Sequence, residues 1–359
     1  MNDEWLIYRG VGEPHDGIDA LPDPPPWRDF DGGPVGGAGG GAGGGAGDPA
    51  GGPAGDPAGG PAGEAGAADG AIARRLGAHR QAAELHRPEP EELDAVNAAL
   101  YLRRPLLVTG YPGTGKSTLA HAVAHELKLG RVLRWPVVSR TVLQDGLYRY
   151  DALARLQDVQ IAAGGGAPGG APGIGKYIRL GPLGTALLPT ARPRVLLIDE
   201  LDKSDVDLPN DLLNVLEEGE FALPELERVA DTEPAVRVLT DDGAKATVHG
   251  GRVRCRAFPF IILTSNGERD FPAALLRRCI QLKLGQPGEK RLATMVRAHL
   301  GDEAARLGAD LIREFLSRSQ TELVAADQLL NAVYLTHYAA PPTREDLADL
   351  LIQRLDRPR

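Results

Sequence analysis

The sequence predicts an α/β fold: a parallel sheet flanked by helices, then a small all-helical domain, with a disordered tail in front. Three observations carry this expectation. Residues 110–117 read GYPGTGKS, between an apolar strand-like run (106–109) and a helix-like segment (118–128). Residues 194–203 read RVLLIDELDK, an apolar run ending in two acids. Beyond residue 288 the apolar spacing is helical throughout, over 289–300, 303–317, 323–337 and 343–355.

GYPGTGKS matches the phosphate-binding pattern G-x-x-x-x-G-K-[ST], and strand–loop–helix is the context that gives the pattern a mechanism. Gly110, Gly113 and Gly115 let the loop, which also contains Tyr111, Pro112 and Thr114, turn its N–H groups around a polyphosphate. The helix start, with Thr118, adds partial positive charge. Lys116 is expected to reach the β- and γ-phosphates and Ser117 to help hold Mg²⁺. In the second motif, a continuously apolar strand is one covered on both faces. Asp199 at its end is the candidate second holder of Mg²⁺, and Glu200 the candidate base that polarises water against the γ-phosphate. A third apolar strand, 260–264, ends at Ser265 and Asn266. Asn266 either orients the attacking water or simply opens a turn before Gly267. The short helix that follows, 271–280, carries Arg277 and Arg278, which also suit a helix C-terminus electrostatically.

Taken together, GYPGTGKS, VLLIDELDKSDVDLPNDLLNVLEEGEF, FIILTSN and FPAALLRRC resemble the AAA+ ATPases of the MoxR type. The resemblance runs from about residue 93 to 284 and continues more weakly beyond. It implies Asn266 as the sensor of the γ-phosphate, and Arg277 or Arg278 as an arginine finger reaching a neighbouring subunit's nucleotide. It also implies ATP and Mg²⁺ as ligands, a ring, usually hexameric, and chaperone-like remodelling of a protein client. A partner carrying a von Willebrand A domain is implied as well. One feature departs from the family pattern: the lid arginine expected near residues 325–330 is absent there, and Arg344 lies further on.

Composition narrows the field. The net charge is −9, from 40 basic and 49 acidic residues. Nucleic-acid binders usually carry the opposite balance. No apolar run reaches the length of a membrane span, and the first residues lack a targeting signature, so a cytoplasmic protein is expected. Two cysteines, Cys255 and Cys279, are expected to be free thiols. His121 and His125 stand one helical turn apart, but Glu126 follows them instead of sitting in the H-E-x-x-H order of a zinc site.

Four regions are expected: an aromatic segment 1–31, a Gly/Ala/Pro linker 32–70, an ATPase core 71–287 and a helical lid 288–359. The linker cannot bury a core and should behave as a coil whose ends lie roughly 35 Å apart. Trp5, Tyr8, Trp27 and Phe30 on such a tether read either as a docking peptide or as a disordered tail. Residues 148–163 read as helical, and 236–255 as one β-hairpin with Arg252, Arg254 and Arg256 on one face. Two functions remain open. One is a motor-like ATPase acting on a protein; the other is an ATP-gated switch or scaffold with slow hydrolysis as a timer.

Overall fold

The computed structural model describes residues 5–32, 84, 86–164, 172–319 and 326–338. The linker, most of the glycine-proline stretch after 164, and the helix expected at 343–355 lie outside the described residues.

The helices are α1 (Pro90–Leu102), α2 (Lys116–Glu126), α3 (Leu143–Leu147), α4 (Ala152–Ala163), α5 (Pro182–Ala186), α6 (Asp207–Glu218), α7 (Pro224–Glu227), α8 (Ala273–Arg278), α9 (Glu289–Leu307), α10 (Ala309–Ser319) and α11 (Ala326–Tyr338). The strands are β1 (Leu106–Gly110), β2 (Leu133–Pro136), β3 (Tyr148–Tyr150), β4 (Ile178–Leu180), β5 (Val195–Asp199), β6 (Glu220–Ala222), β7 (Ala235–Leu239), β8 (Lys245–His249), β9 (Arg252–Arg254), β10 (Phe260–Ser265) and β11 (Ile280–Leu284).

The central sheet has the order β11-β1-β10-β5-β2, and every pairing in it is parallel. Both faces are covered, and strand alternation divides the core accordingly. Leu106, Val108, Val195, Leu197 and Ile262 pack with α1 and α2, whereas Leu107, Leu196, Ile198, Ile261 and Leu263 pack with α5, α6 and α8. That two-sided burial is why the strands read as unbroken apolar runs. It also sets the tips of β1, β5 and β10 side by side at one end of the sheet.

A second sheet, β3-β4-β7-β8-β9-β6, is built from the segments inserted around α4 and α6. Two expectations change here. The start of the helix expected at 148–163 is strand β3, paired antiparallel with β4, and the helix begins only at Ala152. The expected single hairpin is a meander of three strands, because Gly250 and Gly251 at positive φ turn the chain again. Arg252 and Arg254 are paired with Glu227 and Glu220, so they belong to a solvated, internally balanced face.

The lid is helical, with its own core of Leu292, Val296, Ile312, Phe315, Leu329 and Val333. The break expected after residue 300 is a kink inside α9, where Gly301 takes φ 89°.

The N-terminal aromatic segment is not a free docking peptide. Residues 5–32 run as a strap across the core: Ile7, Tyr8 and Ile18 join one face and Phe30 the other. Burial of side chains this size is worth about 1.5–3 kcal/mol each. Polar contacts fix the path. Glu126, fully buried at the end of α2, accepts hydrogen bonds from the N–H groups of Arg9, Gly10 and Gly12 at 2.6, 3.0 and 2.9 Å. Asn97 accepts from the N–H groups of Ile7 and Tyr8. Arg28 donates to carbonyls at the ends of α1 (Arg103) and α6 (Leu216, Glu217), where a cation suits both helix dipoles. It also lies over the rings of Phe30 and Phe258. Of the four aromatics, only Trp27 is largely exposed, at 73%. Long-range contacts of this kind leave no periodic trace in sequence.

Candidate active site

The loop after β1 turns through Gly113 and Gly115 at φ 78° and 89°, backbone that side chains resist. Helix α2 then begins at Lys116. In this structure Lys116 Nζ donates to the Gly110 and Tyr111 carbonyls at 2.7 and 2.9 Å and to Asn266 Oδ1 at 2.9 Å. The lysine and the tip of β10 therefore meet across the mouth of the loop. Burial lowers the Lys116 ammonium from its ordinary value, against the opposing pull of Asp202, Asp199 and Glu200.

Asp199 is buried at the end of β5. Its Oδ1 accepts from Ser117 Oγ and Thr264 Oγ1, both at 2.8 Å. Its Oδ2 accepts from Arg134 Nη2 at 2.6 Å and Nε at 3.2 Å. Burial by itself would raise this carboxyl, but the donated hydrogen bonds outweigh it and hold the group below the usual range. A hydroxyl and an ionised carboxylate already facing a positive group form the hard oxygen set that Mg²⁺ favours. The residues fit the ion.

Glu200 takes the left-handed conformation (φ 62°, ψ 48°), and its N–H donates to Thr264 Oγ1 at 2.9 Å. Such a conformation costs on the order of 1–3 kcal/mol and persists where surrounding contacts impose it. Here it turns the side chain outward, where Oε2 accepts from Lys203 at 2.7 Å. Asp202, only 3% exposed, was not singled out by the sequence. Its Oδ2 accepts from the N–H groups of Asn266 and Glu268 at 2.9 and 3.1 Å, so it holds the segment at the tip of β10 in place.

The two candidate finger arginines separate. Arg278 is held by Glu217, with Nη2 to Oε2 at 3.0 Å. The exposed Arg277 guanidinium has no ion pair among the described residues.

The lid contributes a residue that sequence reading missed. Arg291, in the first turn of α9, pairs with buried Glu92 and donates to the Thr114 carbonyl at 3.3 Å. Glu92 also faces His86 at 3.4 Å. Beside them lies a cavity of about 360 Å³, formed by His86–Glu89, Gly115, Thr118 and the lid residues Thr294, Met295 and His299. Burial lowers the His299 pKa, which favours its neutral form. In the sequence, the signal for this residue is an arginine in the first turn of the first lid helix, not one near 325–330.

These features define the class: a P-loop fold of the AAA+ type, with three strand tips converging on one phosphate loop. Residues 105–279 match the family model described as AAA domain (dynein-related subfamily). A relative from Rhodococcus erythropolis, an ATP-dependent protease ATP-binding subunit-like protein, is 33% identical over 123 residues. That match covers 33% of this chain and 31% of the relative. Among the described residues, no helix is long and apolar enough to cross a membrane.

Proposed function

We propose that this protein is a Mg²⁺-dependent ATPase that assembles as a ring, with MoxR-type AAA+ proteins as its relatives, and remodels a protein partner in the cytoplasm. The observation that carries the reading is the convergence of Lys116, Ser117, Asp199 and Asn266 at the loop, with Glu200 next to Asp199 at the end of β5. The loop amides and Lys116 hold the phosphates, and the base lies in the cavity between the loop and the lid. Ser117 and Asp199 would hold Mg²⁺, which would supply charge neutralisation to the phosphates. Glu200 accepts the proton of the attacking water once freed from Lys203. Asn266, held by Asp202, orients that water. Arg277, whose guanidinium has no ion pair among the described residues, supplies positive charge to the neighbour's γ-phosphate.

Client contact is supported by α4. It turns Leu153, Leu156, Val159 and Ile161 to solvent, while its polar residues Arg155 and Asp158 bond inward to Tyr150 and Tyr177. Exposed apolar clusters of this sort mark interaction surfaces. A von Willebrand A domain protein is the partner class we would test first.

The alternative, a nucleotide-gated switch with slow hydrolysis, draws on one observation: both acids of the second motif are neutralised, Asp199 by Arg134 and Glu200 by Lys203. Steady-state ATP turnover with and without a captured client decides between them. Stimulation of several-fold fits the remodeller, and a flat, slow rate fits the switch. Absence of any hydrolysis by an assembled protein would remove the ATPase reading.

A further inference from the structure

We propose that the cavity beside β2 is a receptor for an acidic peptide, and that its occupant releases the metal carboxylate by drawing Arg134 away from Asp199. The cavity is about 610 Å³, within the range of ligand clefts (roughly 300–1,000 Å³). Arg134, Arg140, Arg149 and Arg179 line it, against the carboxylates Asp145 and Asp241. The arrangement is unfavourable as it stands. Arg149 and Arg179 are directly opposed across the β3–β4 ladder. Like charges in that position destabilise a strand pair. Their local partners compensate poorly: Arg149 reaches Asp145 only at 3.5 Å on an open surface, and Arg179 donates to a backbone carbonyl, Asp241 O, at 3.3 Å. Arg140 has no hydrogen bond or ion pair among the described residues.

A multivalent anion relieves this repulsion. The lining also offers apolar surface, from Pro136, Val138 and Pro182. Such a lining suits carboxylates carried on methylene stems better than a compact ion. Arg134 links the cavity to the nucleotide site, because it both lines the cavity and donates to Asp199 Oδ2. A guanidinium drawn toward peptide carboxylates leaves Oδ2 open, while Ser117 and Thr264 keep Oδ1 oriented. Peptide and metal binding are then coupled, each favouring the other. The coupling rests on Asp199 being the metal carboxylate; peptide binding itself does not.

The test uses the full chain, with an oligoglutamate peptide, an oligoglutamine control and inorganic phosphate as probes. Calorimetry should show oligoglutamate binding, no oligoglutamine binding, and weakening by roughly tenfold or more in Arg140→Gln/Arg179→Gln. Phosphate binding as well as the peptide through the same arginines would overturn the peptide assignment in favour of a small-anion site. The second readout is the Mg²⁺ concentration that half-saturates binding of a fluorescent ATP analogue. Oligoglutamate should lower it about fivefold in the wild type. Arg134→Gln should lower it without peptide and remove the response, while Arg134→Lys should restore part of it. An unchanged Mg²⁺ requirement in both cases overturns the coupling. A wild type whose nucleotide binding ignores Mg²⁺ would instead remove the metal-site reading on which the coupling depends.

Discussion

Asn266 Oδ1 accepts a hydrogen bond from Lys116 Nζ at 2.9 Å, so the tip of β10 and the phosphate loop hold each other where the γ-phosphate would enter. The two residues have different tasks once nucleotide arrives, and substitution separates them. Lys116→Ala removes the charge that neutralises the β/γ oxygens and should abolish ATP binding. Asn266→Ala should retain binding and lose turnover. Equilibrium binding of a fluorescent nucleotide, beside phosphate release, reads both; loss of binding in Asn266→Ala would contradict the assignment.

Glu200→Gln should bind ATP normally and hydrolyse it on the order of a hundredfold or more slowly, the scale of a lost general base. Because the side chain is turned to solvent and Lys203, its removal should leave the melting temperature unchanged. Hydrolysis at the wild-type rate would mean that another group activates the water.

The arginine pair makes an unequal prediction. Arg277→Ala should lose turnover without loss of stability, whereas Arg278→Ala breaks an exposed pair with Glu217 and should leave turnover nearly intact. Mixing inactive Lys116→Ala with inactive Arg277→Ala protein should recover part of the activity, since some interfaces then join an intact loop to an intact arginine. No recovery in a demonstrably mixed assembly would exclude action between subunits.

The strap should behave as core. Phe30→Ala should cost about 3 kcal/mol, the scale of a truncated buried aromatic, and Trp27→Ala close to nothing. Glu126→Ala strands three N–H donors at about 1–3 kcal/mol for each group left unsatisfied. Chemical denaturation measures all three. Deletion of residues 1–32 should destabilise the protein; a truncated chain as stable as the full one would return these residues to a docking role.

Acid should loosen the lid through Glu92. Burial raises this carboxyl, but His86 and Arg291 outweigh it, so its folded pKa lies below the ordinary 4.5. A depressed carboxyl contributes stability that is complete above its unfolded pKa and lost as pH falls through the folded value. Melting temperature should therefore fall more steeply below about pH 4.5 in the wild type than in Glu92→Gln. Parallel profiles would show that the Glu92–Arg291 contact contributes nothing to folding.

The phosphate loop, the three apolar strands and the helical lid were legible because each is written locally. A glycine pattern, a continuous apolar run and a helical period need no knowledge of neighbours. Lys116, Ser117, Asp199, Glu200 and Asn266 could be placed at the ends of those elements for the same reason, since they sit at fixed offsets from the patterns. Tertiary structure decided the rest. The strap depends on Glu126, Asn97 and Arg28 meeting backbone dozens of residues away, and β3 depends on β4 to make Tyr148–Tyr150 a strand. Arg134, Asp202 and Arg291 act on the site through space from an edge strand, a short turn and the lid. Their partners lie across the fold, and only chain packing sets those distances.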